Sequence, residues 1–364
     1  MAEEADGVAM RRVSALFGPI CTLENLHLAY RKARRGKRYR PEVAAFSHDL
    51  ASNLLALQQG LLVETWTPNP PRTFWISDPK RRLISAPPFP DRVVHHAVMN
   101  LLEPVVDRSL IPDTYACRKG KGTHAALLRA SEFARRYRYV LKSDIQKYFP
   151  SIDHEILKGL FRRKLKDPPL LRLLDRIVDG SGPQEEVIDW FPGDDLFTPV
   201  ERRHGLPIGN LTSQIFASWM LDPLDHFVKE TLRVPGYVRY MDDLLLFADS
   251  KAFLREAARE VRCFLERFRL RLHGRKTRTI PLRQGVNFLG FRSYPWGRRL
   301  TTATKVRQQR KLAAHRLAYA EGLVDLQDVG LSIRCMVAHA DWGGGRRFWT
   351  GLLGRTPFRS HGSG

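Results

Sequence analysis

Cysteine is scarce in this 364-residue chain, and what there is stands far apart. Cys21, Cys117, Cys263 and Cys335 include no CxxC pair. No disulfide framework or zinc site is suggested by that spacing, and a reducing, cytoplasmic setting fits it. The chain also lacks any run of eighteen apolar residues and any lipidation motif, so no membrane partner is expected. Its first ten residues, MAEEADGVAM, are acidic before they are basic and hold no apolar stretch, so no secretory signal is expected. No repeat of solenoid period and no long low-complexity tract is present. The remaining shortage is of acid. Asp and Glu number 38 against 60 Lys and Arg, a formal charge of +22, while hydrophobic residues at 43% can fill a sizeable core. Such an excess points to a polyanionic partner, because each cation placed on a phosphate releases condensed counterions.

Patterning places the elements. Apolar residues recur at helical spacing from Phe46 to Gln59, with Gly60 as the stop. In TFWISDPKRRLISAPPF, residues 73 to 89, the TFWI and RLISA pieces read as strands joined by a DPK turn with basic residues at its tip. Residues 91–106, 154–165 and 251–269 read as helices, and 304–321 as a strongly basic one. Residues 211–232 read as a helix that Pro223 kinks. YRYVLKSDI, 137 to 145, and VNFLGF, 286 to 291, read as strands. Strands and helices in this mixed order predict an α+β fold rather than a regular βαβ wheel.

One stretch needs a chemical explanation. YVRYMDDLLLFADS, 237 to 250, sets Asp242 and Asp243 side by side between apolar strands, where adjacent carboxylates repel and burial is costly. A strand ending in Asp144 can join them, although 242 − 144 = 98 residues separate the two, so only a tertiary fold assembles the set. Two Mg²⁺ ions compensate such a cluster and serve in-line phosphoryl transfer. At the other end of the chain, RKARRGKRYRP (31 to 41) holds seven basic residues in eleven. It reads equally as a solvated face or as a nucleic-acid contact.

Five ordered blocks resemble the signature of reverse transcriptases: PKRRLISAPPFPDRVVHHAV, YACRKGKGTHAAL, SDIQKYFPSIDH (143–154), YMDD (240–243) and FLGF (288–291). The resemblance runs from about residue 70 to about residue 295 and implies a right-hand polymerase fold with a mixed or antiparallel palm sheet. It implies a basic extension at 1–45, fingers at 46–136, a palm at 137–295 with an insertion at about 160–204, and a thumb at 296–364. Carried over residue by residue, Asp144 and Asp242 are metal ligands, with Asp243 completing the cluster and Ile145 beside it. Lys80 and Arg82 grip the incoming triphosphate, Phe149 is the gate against a 2′-hydroxyl, and Lys276 is the acid for the leaving pyrophosphate. Arg34, Arg35, Lys37 and Arg38 at one end, and Lys305, Arg307, Arg310 and Lys311 on the thumb helix, are the nucleic-acid contacts. Trp342 and Phe348 read as core.

The block GLPIGNLTSQ, 205 to 214, separates subclasses. Most reverse transcriptases have a glutamine before its second glycine and a proline after the serine; here Ile208 precedes Gly209, and Gln214 follows the serine. That swap resembles the enzymes of diversity-generating retroelements, which copy a template RNA and misincorporate opposite its adenines. The resemblance implies template RNA, a cDNA or primer end, deoxynucleoside triphosphates and two Mg²⁺ ions, with Mn²⁺ as a substitute. It also implies a small basic accessory protein. Defence-associated, retron and intron-like reverse transcriptases are the alternatives, followed by a catalytically dead RNA-binding scaffold.

Overall fold

Threonine and aspartate side chains begin several of the helices. Thr22 accepts from the Asn25 N–H (3.2 Å) ahead of the Leu23–Ala33 helix, and Asp153 from Ile156 (3.0 Å) ahead of His154–Lys164. Thr301 and Asp325 do the same for Thr302–Ala320 and Leu326–Asp341. Each such cap satisfies an otherwise orphaned N–H and contributes about 1 kcal/mol. The structure, a computed structural model, describes residues 12–77, 81–182, 185–354 and 358. Within them the chain forms two compact units. The first is drawn from Met1–Pro112, Ile145–Thr231 and Glu260–His273, the second from Asp113–Asp144, Leu232–Arg259 and Gly274–Gly364.

The Phe89–Ser109 helix is the axis of the first unit. Val93, Val94, Ala97, Val98 and Leu102 are fully buried, because the helix packs against both Leu23–Ala33 and Leu211–Met220. Ahead of it lies the expected hairpin, β1 (Arg72–Ile76) with β2 (Arg82–Ala86), antiparallel from Arg72↔Ala86 to Ile76↔Arg82. β1 is exposed along its length, so this hairpin is held from the β2 side, where the Ser85 N–H donates to the Ile208 carbonyl at 3.0 Å.

The second unit is built on a four-stranded sheet of β3 (Tyr139–Asp144), β4 (Gly236–Tyr240), β5 (Asp243–Ala248) and β6 (Arg278–Pro281), in the order β4-β5-β3-β6. All its pairings are antiparallel. β5 is buried from Leu244 to Ala248 and so reads as a continuous apolar run rather than an alternating one. Ala126, Leu127, Ala130, Phe133 and Ala134 give the Thr123–Arg136 helix one apolar face, which joins this core. A second antiparallel sheet, β7 (Val286–Phe288), β8 (Phe291–Tyr294) and β9 (Gly297–Leu300), shares it, as do the helices Thr302–Ala320, Leu326–Asp341 and Arg346–Gly354 through Leu312, Met336, Ala340 and Trp349. Trp342 and Phe348 pack against it.

Three expectations are corrected. Gly60 does not stop a helix: Pro41–His48 and Leu50–Leu62 are separated at Asp49 (φ −120°, ψ 62°), and Gly60 lies inside the second. Its carbonyl accepts the N–H groups of Thr65 and Trp66, both at 2.9 Å, so the chain turns back only after Leu62. FLGF is not one strand, because Phe288 pairs with Phe291 across a two-residue turn whose Leu289 and Gly290 both have positive φ, 47° and 86°. Pro223 does not kink a long helix. Leu211–Met220 ends, Asp222–His226 restarts with Pro223 in its first turn, where a missing N–H costs nothing, and Phe227–Thr231 continues as a π-helical turn.

That restart is pinned by His226. Nδ1 is 2.6 Å from Glu230 Oε1, Nε2 is 3.1 Å from the Ser109 carbonyl, and Asp222 Oδ1 lies 3.5 Å from Nε2. Asp222, then Glu230 and the Ser109 carbonyl, push the imidazole up to about 10 against its partial burial. A raised histidine stabilises fully below its unfolded value near 6.5 and loses that contribution as pH rises through its folded one. His226→Gln should therefore lower the melting temperature at pH 6, and the gap to the parent should close as pH approaches 10. Thermal melts of both proteins across that range check it.

Candidate active site

One end of the four-stranded sheet carries the acidic cluster. β3 ends at Asp144, β5 begins at Asp243, and the register sets these two residues opposite each other. On the far side of β5, Tyr240 pairs with Asp243, which leaves Met241 and Asp242 as a two-residue hairpin turn. Met241 has φ 57°. That left-handed conformation suits the first central position of such a turn but strains any residue other than glycine. The turn is braced by Arg239, whose side chain is buried and whose Nη1 donates to the Met241 carbonyl at 3.2 Å. The Arg239 backbone is itself held by Asp113 and Tyr115, at 3.0 and 3.1 Å. Sequence patterning passes over Arg239, yet a lone arginine inside the apolar run YVRYM is the signal that marks it.

Crowding shows in the electrostatics. Burial, then the charge of Asp144 and that of Asp243, push the Asp242 carboxyl from its ordinary 3.8 up to about 7. Lys276, half exposed, donates from Nζ to Asp144 Oδ2, and next to it Ser143 Oγ and Thr277 Oγ1 lie 2.8 Å apart. The structure thus brings Asp144, Asp242, Asp243 and Lys276 together. Among the described residues no group of three or more His, Cys, Asp or Glu is set to hold a metal ion as it stands. At Asp144 the positive charge comes from Lys276 instead. The donor set nonetheless suits a hard divalent cation, because it is carboxylate oxygen throughout and carries repulsion that a cation relieves.

Most of the remaining candidates belong to the first unit. Ile145 is buried and bridges to Leu272; its side chain has no donor atom, so only its carbonyl qualifies as a ligand. Phe149 is half-buried on the Tyr148–Ser151 turn, edge-on to Tyr148 at 5.8 Å, and its carbonyl accepts from Leu206 N at 2.9 Å. Arg82 opens β2 and is exposed; Lys80 lies outside the described residues. Neighbouring Arg81 places its guanidinium 4.3 Å from the Trp75 ring centroid. Ile208 is held to β2 through Ser85, and Gly209 follows at φ 126°. Gln214 is exposed on the Leu211–Met220 helix, whereas its neighbour Thr212 is buried with Oγ1 2.7 Å from His95 Nδ1. Arg35 and Arg38 are exposed, Arg34 and Lys37 half-buried. In the second unit, Lys305, Arg307, Arg310 and Lys311 are all exposed on Thr302–Ala320, whose buried residues are Thr304, Gln308 and Leu312.

Comparison with known proteins gives a family match. The model described as reverse transcriptase (RNA-dependent DNA polymerase) matches residues 76–293. Protein YkfC of Escherichia coli (strain K12) is 25% identical over 283 residues, 67% of this chain and 71% of that protein. The group II intron-encoded protein LtrA of Lactococcus lactis subsp. cremoris is 27% identical over 173 residues, 47% of this chain but only 27% of LtrA. Among solved structures, an apo telomerase from Candida tropicalis superposes with a TM-score of 0.47 at 13% identity, covering 68% of this chain and 60% of that one.

The Ile208–Gly209 contact can be tested by itself. A Cβ at Gly209 would stand 2.8 Å from the Ser85 carbonyl oxygen and 3.1 Å from Ile84 Cγ2, and the positive φ adds strain. Gly193 has a positive φ too, 93°, but open space around it. Gly209→Ala should therefore lower the melting temperature by several degrees more than Gly193→Ala, as thermal denaturation of the two variants would show.

Proposed function

The chain belongs to the reverse transcriptase family of RNA-directed DNA polymerases, with its right-hand α+β fold, and on that premise we propose that it copies a template RNA into cDNA at Asp144, Asp242 and Asp243. The observation that carries this reading is the register of β3 and β5, which sets Asp144 opposite Asp243 with Asp242 in the adjoining turn. Two divalent ions, Mg²⁺ or Mn²⁺ in its place, would supply activation of the attacking 3′ oxygen and charge neutralisation at the leaving pyrophosphate. Asp144 and Asp242 are the ligands in this reading, and Asp243 keeps the cluster anionic. Lys276 already reaches an Asp144 oxygen and is the proton donor for the pyrophosphate. Arg82 and Lys80 steady the triphosphate, as charge stabilisation of phosphoryl transfer requires. Phe149 bars a 2′-hydroxyl and so selects deoxynucleoside triphosphates.

We further infer an error-prone enzyme of the diversity-generating type, working with a small basic accessory protein. Its support is Ile208 and Gln214. An aliphatic side chain at 208 offers no hydrogen bond where other reverse transcriptases carry glutamine, and the residue is tied by its carbonyl to β2 of the hairpin that carries Arg82.

Two experiments test these readings. Asp242→Asn should abolish primer extension on RNA while raising the melting temperature at pH 8. A carboxylate whose folded value lies above its unfolded one loses stability as pH climbs from about 4 to about 7, and the amide removes that penalty. Asp144→Asn should abolish extension as well. Extension retained by either variant would move the reaction elsewhere. Ile208→Gln should lower misincorporation opposite template adenines several-fold, since one polar contact of about 1 kcal/mol is worth that much discrimination. Sequencing cDNA made from one defined RNA by both proteins gives the comparison; identical error spectra would favour a defence-type enzyme.

A further inference from the structure

Acid is scarce in this chain, yet six of its 38 carboxylates fall within residues 185–201. They are Glu185, Glu186, Asp189, Asp194, Asp195 and Glu201, and no lysine or arginine stands among them. The same stretch carries Ile188, Trp190, Leu196, Phe197 and Val200, each between 48% and 71% exposed. It lies wholly in the first unit, between the Pro168–Asp179 and Leu211–Met220 helices.

A loose loop folds its apolar side chains inward; this one is pinned with them outside. Phe191 is its one buried aromatic residue, with the guanidinium groups of Arg202 and Arg271 at 5.5 and 5.1 Å from the ring centroid. The Phe191 N–H donates to Asp194 Oδ2 at 2.7 Å. Arg202 donates from Nη2 to Asp194 Oδ1 and from Nη1 to the Asp189 carbonyl at 3.1 Å, so it ties the two halves of the stretch together. Asp195 Oδ1 accepts the N–H groups of Phe197 and Thr198, at 3.0 and 2.8 Å, and so sets the short Thr198–Glu201 turn. Lys147, Arg271 and Arg202 answer Glu185, Asp189 and Asp194. Among the described residues Glu186, Asp195 and Glu201 form no ion pair, so the surface keeps a negative charge on a strongly positive chain.

Five large apolar side chains held in water by a fixed backbone forgo about 25 cal/mol for each Å² left uncovered, which a partner recovers. The carboxylates among them decide which partner. Nucleic acid and anionic lipid are repelled, and a cation is attracted. We propose that residues 185–201 form a docking surface for a cationic protein segment, an amphipathic helix whose apolar face covers Leu196, Phe197 and Val200 and whose lysines or arginines meet Glu186, Asp195 and Glu201. The inference goes beyond RNA copying and uses none of the residues placed in the polymerase site. The rest of the chain is more positive than the whole and repels such a segment, which confines it to this stretch.

The test uses a labelled helix-forming peptide of about eighteen residues, leucine on one face and lysine on the other, titrated with the full chain and followed by anisotropy. It should bind one to one, more weakly as salt rises. Leu196→Ser with Phe197→Ser should weaken it by about tenfold or more, as loss of apolar anchors does. Glu186→Gln with Glu201→Gln should weaken it several-fold and flatten its salt dependence. Both double variants should melt as the parent does, because the exchanged side chains are exposed. Leu317→Ser, at an exposed leucine of the second unit, should change nothing. Absence of binding, equal affinity in the parent and both double variants, or equal binding of a peptide with serine in place of leucine would overturn the proposal. So would sedimentation showing a dimer of the chain that Leu196→Ser with Phe197→Ser dissolves, since the occupant would then be a second copy.

Discussion

Like charges held together govern the second unit. Two unit charges about 4 Å apart repel by about 4 kcal/mol at an effective dielectric near 20, and partial burial makes the ionised form dearer still. The sheet holds Asp144 against Asp243 all the same, because β5 is buried from Leu244 to Ala248 and hydrogen-bonded on both sides. Each of those larger apolar side chains contributes about 1.5–3 kcal/mol, so two or three of them outweigh the repulsion. Arg239 then secures the turn that carries Asp242 by gripping the Met241 carbonyl. The strand keeps its register.

That constraint explains what could be read from the sequence. Two five-residue, mostly apolar runs with adjacent aspartates between them have few satisfactory structures, so β4, β5 and the turn between them were legible in YVRYMDDLLLFA. β3 and the hairpin of β1 and β2 were legible for a similar reason, since turn residues and apolar alternation agreed. What escaped depended on distant partners. Gly60 looks like a stop until Thr65 and Trp66 take its carbonyl, and Pro223 looks like a kink until Met220 ends one helix and Asp222 begins another. FLGF hid a turn because leucine seldom accepts a positive φ, and Leu289 does. The two units were invisible to composition, since each is assembled from three separate stretches of chain.

Ile208 shows how a single exchange can reach beyond its own side chain. Its carbonyl holds Ser85, and the next residue has no room for a Cβ against that same strand. The backbone there is set by the hairpin and by Gly209, so the position tolerates different side chains without moving. Substitution at 208 therefore acts through the side chain, since the backbone bond to Ser85 and the close approach at Gly209 do not depend on it.

The like-charge cluster of the second unit is the set of carboxylates around Asp242. It stores repulsion that the folded chain bears. Any species that binds the folded state and relieves that repulsion stabilises it by mass action. The apolar core therefore has to be strong enough to hold the carboxylates together, and β5, buried from Leu244 to Ala248, is where that strength lies.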